Sequence, residues 1–499
     1  MKIHRYSSGS GDIYYWWLEW ILNMIDMILY IATVPFVQLF SQSAAYYLSI
    51  SKATEQTYLN WWKTLTMNGS NEQLIKGPCL ALLSLLFLPL GATSFLIWVI
   101  MCKIIKKTGF TYVEFGTNEN SLNSCNSFKF VSGNLLLGPE FLGKMQNLPD
   151  VYNRLLGTAN SFSMQNTRSY DGNCKILDDY QIKIETKRDS SIVDHWPEDV
   201  DFVALQEVWD RLSAIALISK MRKTFKYFLT DISQDLGNSK YLFRSSGLFI
   251  ASKYPIVDYK AAFFDPVAFY QNVFTHAYVF VKFDLSSKKG GNVKGRKLVG
   301  YLANTHLPSY EDENSRKIRP LTELHKEYNE FQRSTLKENE DVAFAVVAGD
   351  FNLCNISKCD KFEHNNPIYN EYLDYCREKG GVDQLWTVGT EVRQLSLPES
   401  GFRSAEALKH VLKDDVKRRF YILDADLEKI TPFTPFSLPI PEEDGTVVAK
   451  ADTGGRRRVD KILYHPEHLY SRPSSFFFVT ALAPYTDHVP ICLVLKRND

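Results

Sequence analysis

The stretch VVAGDFN, residues 346–352, ends an apolar run in two side chains that could do chemistry. A strand alternates its side chains with period two, so Asp350 and Asn352 are predicted to share one face, with Phe351 on the other. Burial of an unpaired carboxylate is costly, so Asp350 at the end of a buried strand requires compensating partners. The pattern therefore predicts a functional site at this strand end.

Other strand ends carry polar residues that could meet Asp350 and Asn352. They are Asn134 in SGN, Glu207 in LQEVWD, His306 in NTHLP, and Asp487 with His488 in YTDHVP. Carboxylate and amide oxygens without cysteine are the ligands that Mg²⁺ prefers. A histidine beside such a cation titrates near neutrality and is able to remove a proton from water. Each residue alone has a purely structural interpretation, but the set predicts metal-assisted hydrolysis of a phosphate ester.

Short apolar runs separated by polar loops predict the elements that position these residues. The predicted strands are 128–134, 201–208, 246–254, 277–285, 298–307, 344–352, 459–465 and 490–496. The predicted helices are 210–226 and 317–337, and the polar stretch 163–197 is predicted to be a loop. Many strands with helices between them favour an α+β sandwich of two sheets with helices outside.

Composition and charge narrow the function. The chain of 499 residues has 45% hydrophobic residues and equal numbers, 57 each, of basic and acidic residues, which is typical of globular proteins. Residues 1–110 carry a net charge of plus three, and the remainder minus three. Domains that grip nucleic acid carry a basic excess, so no nucleic-acid partner is expected. Eight cysteines without a CxxC pair favour free thiols in a reducing compartment.

Residues 1–110 are predicted to form a membrane-attachment region with two hydrophobic segments, 13–50 and 77–102. The second contains no charged residue and is long enough for one helix to cross the roughly 30 Å hydrocarbon core. Pro89 and Gly91 lie at its centre, however, so a hairpin that dips into one leaflet is favoured over a single crossing helix, which stays open as the alternative. Lysines flank this segment on both sides, which favours a return to the cytosolic face; they are Lys76, Lys103, Lys106 and Lys107.

In chain order, the motifs GN, LQEV, TH, GDFN, RRVD and TDH resemble those of the endonuclease/exonuclease/phosphatase superfamily of DNase I-like enzymes. The paired hydrophobic segments and GRRRVDKILYH, residues 455–465, are similar to the membrane-attached animal branch of the neutral sphingomyelinase family. The resemblance implies a DNase I-like two-sheet β-sandwich flanked by helices over residues 111–499. The hydrophobic membrane segments would precede this α+β domain.

The resemblance also implies a role for each site residue. The residues implied to hold Mg²⁺ are Glu207, Asn134 and Asp487. The residues implied to be catalytic are His488, Asp460, Asp350, Asn352 and His306. His488 would act as general base on the attacking water, with Asp460 orienting its other ring nitrogen. Asp350 and Asn352 would position the water and the phosphate, and His306 would donate to a nonbridging oxygen.

The implied reaction is Mg²⁺-dependent hydrolysis of sphingomyelin to ceramide and phosphocholine at a membrane surface. Anionic phospholipids are the implied activators, and the catalytic domain is expected in the cytosol, at the Golgi or the inner leaflet of the plasma membrane. Two alternatives stay open: a phosphodiesterase or phosphatase acting on inositol phosphates or other phospholipids, and a non-catalytic membrane scaffold. One departure concerns regulation, because Gln271 and His276 stand where the family usually carries an Asp and a Lys.

Overall fold

The computed structural model describes the chain in blocks. These are residues 2–6, 82–94, 107–115, 127–138, 140–148, 150–163, 191–230, 245–265, 276–286, 292–293, 295–308, 318–425 and 454–498, together with isolated positions at 21, 24–25, 28–29, 39, 79, 96–97, 100 and 232. Most of the predicted loop 163–197, most of the segment 13–50, and Gln271 lie outside the described residues.

The described strands number eighteen in chain order. They are β1 (Lys2–Tyr6), β2 (Lys107–Glu114), β3 (Ser127–Leu137), β4 (Ile192–Val193), β5 (Phe202–Val208), β6 (Tyr227–Thr230), β7 (Phe249–Ser252), β8 (Ile256–Phe263), β9 (Ala277–Asp284), β10 (Asn292–Val293), β11 (Arg296–His306), β12 (Glu340–Asp350), β13 (Leu373–Asp374), β14 (Arg377–Lys379), β15 (Val382–Asp383), β16 (Asp460–Tyr464), β17 (Arg472–Val479) and β18 (Ile491–Lys496). All eight predicted strands are confirmed to within a few residues.

The helices with defined bounds lie mainly between strands. They are α1 (Glu140–Met145), α2 (Val151–Ser163), α3 (Arg211–Met221), α4 (Ile318–Thr335), α5 (Ile368–Glu371), α6 (Ala405–Lys413) and α7 (Asp415–Tyr421). The two predicted helices are confirmed as α3 and α4. Short 3₁₀ turns occur at Lys358–Asn365, Gln394–Ser396, Ser400–Phe402 and Thr480–Leu482.

Two large sheets form the body of the described chain. One has nine strands in the order β1-β2-β6-β7-β5-β3-β18-β17-β4, and the other has the order β13-β16-β12-β11-β9-β8 with β10 paired to β11. A small third sheet pairs β14 with β15. The central pair of each large sheet is parallel, β3 with β5 and β11 with β12. The predicted two-sheet sandwich is therefore confirmed.

Aromatic side chains fill the space between the two sheets. Phe344 of β12 contacts Phe130 of β3 and Phe202 of β5, with ring centroids 4.8 Å and 5.2 Å away. Neighbouring residues on β5 point the other way, so Val203 packs in a second cluster with side chains of α2 and α3. A third cluster joins α4 to the outer face of the other sheet. Period-two alternation thus builds four layers, helix–sheet–sheet–helix.

The first and second strands pair with each other at the edge of the nine-stranded sheet. Lys2 lies opposite Glu114 and Tyr6 opposite Lys107, and β2 continues the sheet through its pairing with β6. In the sequence, β1 ends at residue 6 and its neighbour β2 begins at residue 107. We call β1 and β2 together the edge clasp. The predicted boundary at residue 110 falls inside β2, so residues 2–6 and 107–110 belong to the sandwich.

The second hydrophobic segment contains a helical run over residues 82–94. This run continues through Pro89 and Gly91, so the turn expected at these two residues is not seen there. Its leucines are exposed; Leu86, for example, is 74% exposed. Across the described parts of the chain, no single helix combines enough length and apolarity to cross a membrane.

Candidate active site

The site lies where the two central parallel pairs end. In the nine-stranded sheet, Asn134 is the register partner of Gln206, so Glu207 follows immediately at the end of β5. In the other sheet, His306 is the register partner of Asp350, and Asp350 is in turn the partner of Asp460 on β16. Parallel strands bring their carboxyl ends to one edge of a sheet, and here the two edges face each other.

Asn134 connects the two sheets at this edge. Its Nδ2 donates to Glu207 Oε1 at 2.8 Å and to Asp350 Oδ2 at 3.1 Å. Its Oδ1 accepts from the backbone N–H of Leu136 at 3.2 Å, within the same strand end. Asn134 therefore bridges two carboxylates through its nitrogen, while its oxygen accepts one backbone hydrogen bond.

Glu207 is held in an unusual backbone conformation beside a glycine. Its φ is +58°, in the left-handed region that few side chains adopt without support, and Val208 donates its N–H to the carbonyl of Gly247 at 2.9 Å. Burial, with the nearby charge of Asp487, raises the pKa of the Glu207 carboxyl to about 8. Among the described residues, no group hydrogen-bonds its buried Oε2.

Asp350 ends β12, and the chain turns immediately after it. Asn352 has a φ of +49°, donates its backbone N–H to Asp350 Oδ1 at 2.8 Å, and donates Nδ2 to the carbonyl of Leu307 at 2.8 Å. The expectation that strand alternation aligns Asp350 with Asn352 was therefore wrong: the strand ends first, and a turn brings them together. Burial raises the pKa of Asp350, but His488 and His306 lower it, with a net decrease.

His306 lies between the two acidic groups without hydrogen-bonding either one. Its Nε2 is 3.6 Å from Asp350 Oδ2 and 3.7 Å from Glu207 Oε1. Burial lowers the pKa of His306, which favours the neutral ring. The ring of His276 packs edge-to-face on it with centroids 4.6 Å apart. His276, singled out by sequence, thus contacts a site residue directly.

His488 and Asp460 form a hydrogen-bonded pair. His488 Nδ1 lies 2.9 Å from Asp460 Oδ2, and its Nε2 lies 3.9 Å from Asp350 Oδ2. Burial lowers the pKa of His488, but the carboxylates around it, first Asp460 and then Asp350 and Asp487, raise it well above the ordinary value. Asp460 therefore orients the ring through Nδ1, and Nε2 faces Asp350 in the site.

Asp487 and Arg154 complete the cluster. Burial raises the pKa of Asp487, and its Oδ1 is buried without a hydrogen-bond partner in the described part of the chain. Arg154 of α2 donates to the carbonyls of Leu136 at 2.7 Å and Tyr485 at 2.9 Å, and its charge acts on Asp487. Sequence reasoning missed Arg154, because a lone arginine on a helix carries no motif.

The donor set fits a hard divalent cation. Glu207 Oε2 and Asp487 Oδ1 are buried carboxylate oxygens without hydrogen-bond partners in the described region. Repulsion between these two carboxylates contributes, after burial, to the raised pKa of Glu207. A bound cation would offset both the cost of burying these oxygens and the repulsion between the two carboxylates. A second compact group, Asp350, Asp460 and His488, has ligand atoms within 4.8 Å of one another. Its imidazole is already bound to Asp460, and all-oxygen sites suit Mg²⁺ better.

A family model described as the Endonuclease/Exonuclease/phosphatase family matches residues 157–488, about two thirds of the chain. The chain belongs to this family. The match covers Glu207, His306, Asp350, Asp460 and His488. The predicted superfamily membership is therefore confirmed, and the strand ends that carry these residues are part of the family's own domain.

The predicted similarity to sphingomyelinases is also confirmed. The family member described here is 29% identical to sphingomyelin phosphodiesterase 5 of Danio rerio over 303 residues, covering 59% of this chain and 52% of the relative. It is 28% identical to sphingomyelin phosphodiesterase 3 of Homo sapiens over 321 residues, covering 62% of this chain and 46% of the relative. The chain thus spans about half the length of these relatives.

Solved structures show weaker likeness. SmcL is 13% identical with a TM-score of 0.41, covering 74% of this chain and 99% of SmcL. Sphingomyelinase C from Streptomyces griseocarneus is 14% identical with a TM-score of 0.33, covering 74% of this chain and 99% of that protein.

Proposed function

We propose that this family member is a Mg²⁺-dependent phosphodiesterase that hydrolyses sphingomyelin to ceramide and phosphocholine at a membrane surface. The observation that carries the proposal is the cross-sheet cluster in which Asn134 bridges Glu207 to Asp350 and Asp460 binds His488. Similarity to sphingomyelin phosphodiesterases supports the choice of substrate.

His488 is the general base of the proposed reaction. Its Nδ1 is occupied by Asp460, so Nε2 is the nitrogen that accepts a proton from water. Asp460 fixes the ring orientation and stabilises the imidazolium that forms, as a buried carboxylate does for a catalytic histidine. The water attacks phosphorus and the bond to the ceramide oxygen breaks. The ceramide alkoxide takes a proton from solvent, and His488 releases the proton it accepted to solvent.

Asp350, Asn352 and His306 hold the other reacting groups. Asp350 faces both histidines and accepts hydrogen bonds from Asn134 and from the backbone N–H of Asn352. These bonds favour its ionised form, in which it orients the attacking water. Asn352 fixes that carboxylate through its backbone N–H. His306, buried and close to Asp350 and Glu207, donates to a nonbridging phosphate oxygen as negative charge develops there.

Glu207 and Asp487 are the proposed ligands for Mg²⁺, because both offer a buried oxygen without another partner among the described residues. Asn134, predicted as a third ligand, touches Glu207 and keeps its carboxylate oriented; it reaches the cation itself only if its amide turns over. A bound Mg²⁺ supplies positive charge to the phosphate oxygens and the leaving alkoxide.

Membrane attachment through residues 7–106 is part of the proposal. The edge clasp joins residue 6 to residue 107 in register, which supports a region that leaves and returns on the same side of a bilayer. Both hydrophobic segments are contained in that insert. Anionic phospholipids are proposed as activators through the flanking lysines, which attract negatively charged headgroups. The sandwich then lies at the cytosolic surface, where it meets the lipid headgroup.

A substrate panel tests the proposal. Purified full-length protein is given sphingomyelin, phosphatidylcholine, a lysolipid or an inositol polyphosphate in mixed micelles, with Mg²⁺ or with EDTA. We expect phosphocholine release chiefly from sphingomyelin and only with Mg²⁺. Equal or greater activity on the inositol phosphate would assign the chain to that alternative, and absence of hydrolysis on every substrate would favour a non-catalytic scaffold.

A further inference from the structure

The motif LWTVGT, residues 385–390, forms a loop that contacts the segments carrying His488 and Asp460. Thr390 donates its backbone N–H to the carbonyl of Arg457 at 2.8 Å, and its own carbonyl accepts from Val489 at 2.8 Å. Arg457 lies three positions before Asp460, and Val489 directly follows His488. Thr390 is therefore hydrogen-bonded to the segments on both sides of the His488–Asp460 contact.

Gly389 makes this close approach possible. A Cβ at Gly389 would lie 2.8 Å from the backbone nitrogen of Arg457 and 2.5 Å from a methyl group of Ile422. Any larger residue would push the loop away from the strand that begins at Asp460. Packing therefore requires glycine at position 389, directly before Thr390.

The side chain of Thr390 is fully buried and its hydrogen bonds are specific. Its Oγ1 accepts from the backbone N–H of Val459 at 3.1 Å and from that of Asp460 at 3.2 Å. A threonine hydroxyl has two lone pairs and one hydrogen. Both lone pairs are used by these two donors, so the hydroxyl hydrogen must find another acceptor.

The neighbouring acceptor is the carboxylate of Asp460. Its Oδ2 binds His488 Nδ1, whereas its buried Oδ1 has no hydrogen-bond partner among the described residues. Burial raises the pKa of Asp460, so a donor to Oδ1 would stabilise the charged form of this carboxylate. The Thr390 hydroxyl thus needs an acceptor, and the neighbouring Asp460 Oδ1 needs a donor.

We propose that Thr390 is a positioning residue for the general base: its hydroxyl donates to Asp460 and thereby fixes the orientation of the Asp460–His488 pair. Thr390 does not touch the substrate. Its backbone and side chain together hold the strand that carries Asp460 and the loop that carries His488 at a set separation.

Three variants in the full-length protein separate this role from a structural one. Thr390→Val keeps the shape and removes the hydroxyl, whereas Thr390→Ser keeps the hydroxyl and removes a methyl group. Thr390→Cys, of similar size but with a weak donor, serves if the valine variant does not fold. Thr387→Val is the matched control, because Thr387 is buried in the same loop and donates to the carbonyl of Gln384, away from Asp460.

The first readout needs no substrate. It is the far-downfield proton resonance of the His488 Nδ1–H group, assigned by its disappearance in His488→Gln. We expect Thr390→Ser and Thr387→Val to keep this resonance, and Thr390→Val or Thr390→Cys to shift or broaden it. An unchanged resonance in a folded valine or cysteine variant would overturn the inference, whatever the substrate of the protein proves to be.

The second readout rests on the proposed sphingomyelin hydrolysis. We expect Thr390→Val to lower kcat about 10- to 100-fold with KM within about twofold, Thr390→Ser to restore kcat to within about threefold, and Thr387→Val to leave both unchanged. Equal kcat in the valine and serine variants would contradict the role. If the wild type hydrolyses no sphingomyelin, the proposed function fails, and the resonance alone still decides the role of Thr390.

Discussion

His488 Nδ1 lies 2.9 Å from Asp460 Oδ2, and Asp460 is the register partner of Asp350 on the neighbouring strand. The base is thus anchored to the same sheet that carries Asp350. The other sheet contributes Glu207 and Asn134, and Asn134 Nδ2 links the two halves. The active site is therefore sensitive to any change in the relative position of the two sheets.

Loss of either His488 or Asp350 should abolish most turnover while leaving the fold intact. We expect His488→Ala and Asp350→Ala each to lower kcat by at least about 100-fold, the usual size of general-base and electrostatic contributions. Thermal unfolding and circular dichroism report the fold. His410→Ala is the control, because His410 is exposed on α6. Near-normal activity in either site variant would refute the role assigned to that residue.

The pH dependence of kcat/KM should reflect the carboxylates around His488. The base must be neutral to accept a proton, and Asp460, Asp350 and Asp487 raise its pKa. Activity should therefore decline as pH falls, with the acid limb above about 6.5, the ordinary histidine value. Asp460→Asn removes one negative charge, so the pKa of His488 decreases and the acid limb of the kcat/KM profile moves to lower pH. The maximal kcat/KM above that limb should also be lower than in the wild type. A limb that stays in place would exclude His488 as the titrating base.

Glu207→Gln should weaken Mg²⁺ binding, because an amide oxygen replaces a charged ligand. We expect Mg²⁺ affinity, measured by calorimetry on the protein alone, to decrease at least about tenfold, and activity to recover partly at high Mg²⁺. Glu406→Gln on the exposed face of α6 is the control. Unchanged Mg²⁺ affinity in Glu207→Gln would move the metal site elsewhere, with Asp350, Asp460 and His488 as the next candidate group.

The same substitution should stabilise the protein when no metal is present. Burial raises the pKa of Glu207 to about 8, so in the folded state the carboxyl holds its proton up to that pH. Its contribution to stability is complete below the unfolded value of about 4.5 and is lost as pH rises through 8. In EDTA at pH 8, Glu207→Gln should therefore unfold with a free energy higher than wild type by about 1–3 kcal/mol. A lower free energy of unfolding would show that the charge is compensated in the metal-free fold.

Because β1 belongs to the edge clasp, residues 7–106 should be removable without loss of stability only if β1 is kept. Replacement of residues 7–106 by a short Gly-Asn turn keeps β1 paired with β2, because Tyr6 and Lys107 are register partners. We expect this variant to fold, to be soluble without detergent, and to lose most activity on bilayer sphingomyelin together with stimulation by anionic lipid. Fully retained lipid stimulation would locate the regulatory surface on the sandwich.

Deletion of residues 1–110 is the comparison. It removes β1 and the first half of β2, so the edge of the sheet next to β6 is left partly unpaired. We expect a lower thermal midpoint and more aggregation than in the variant that keeps the clasp. Equal stability of the two forms would show that the clasp contributes nothing to the sandwich.

The sequence predicted the four central strands of each large sheet, because their apolar runs are continuous and several end in distinctive polar motifs; they are β3, β5, β7 and β18 in one sheet and β9, β11, β12 and β16 in the other. It did not predict the outer strands of either sheet. It also predicted the convergence of Glu207, His306 and Asp350, since each lies at the end of a buried strand. It did not predict the edge clasp, because Lys2–Tyr6 is a short polar segment whose partner lies a hundred residues away. Nor could it assign Thr390, whose role depends on a hydroxyl that lies against Asp460 only in the folded chain.

Hydrolysis in water labelled with ¹⁸O tests the central claim most directly. Full-length protein is incubated with sphingomyelin and Mg²⁺ in the labelled water, and the phosphocholine and ceramide are analysed by mass spectrometry, with His488→Ala in parallel. Attack of water at phosphorus predicts one ¹⁸O in phosphocholine, none in ceramide, and almost no product from the variant. Label in the ceramide hydroxyl, or equal product from wild type and His488→Ala, would contradict the proposed reaction.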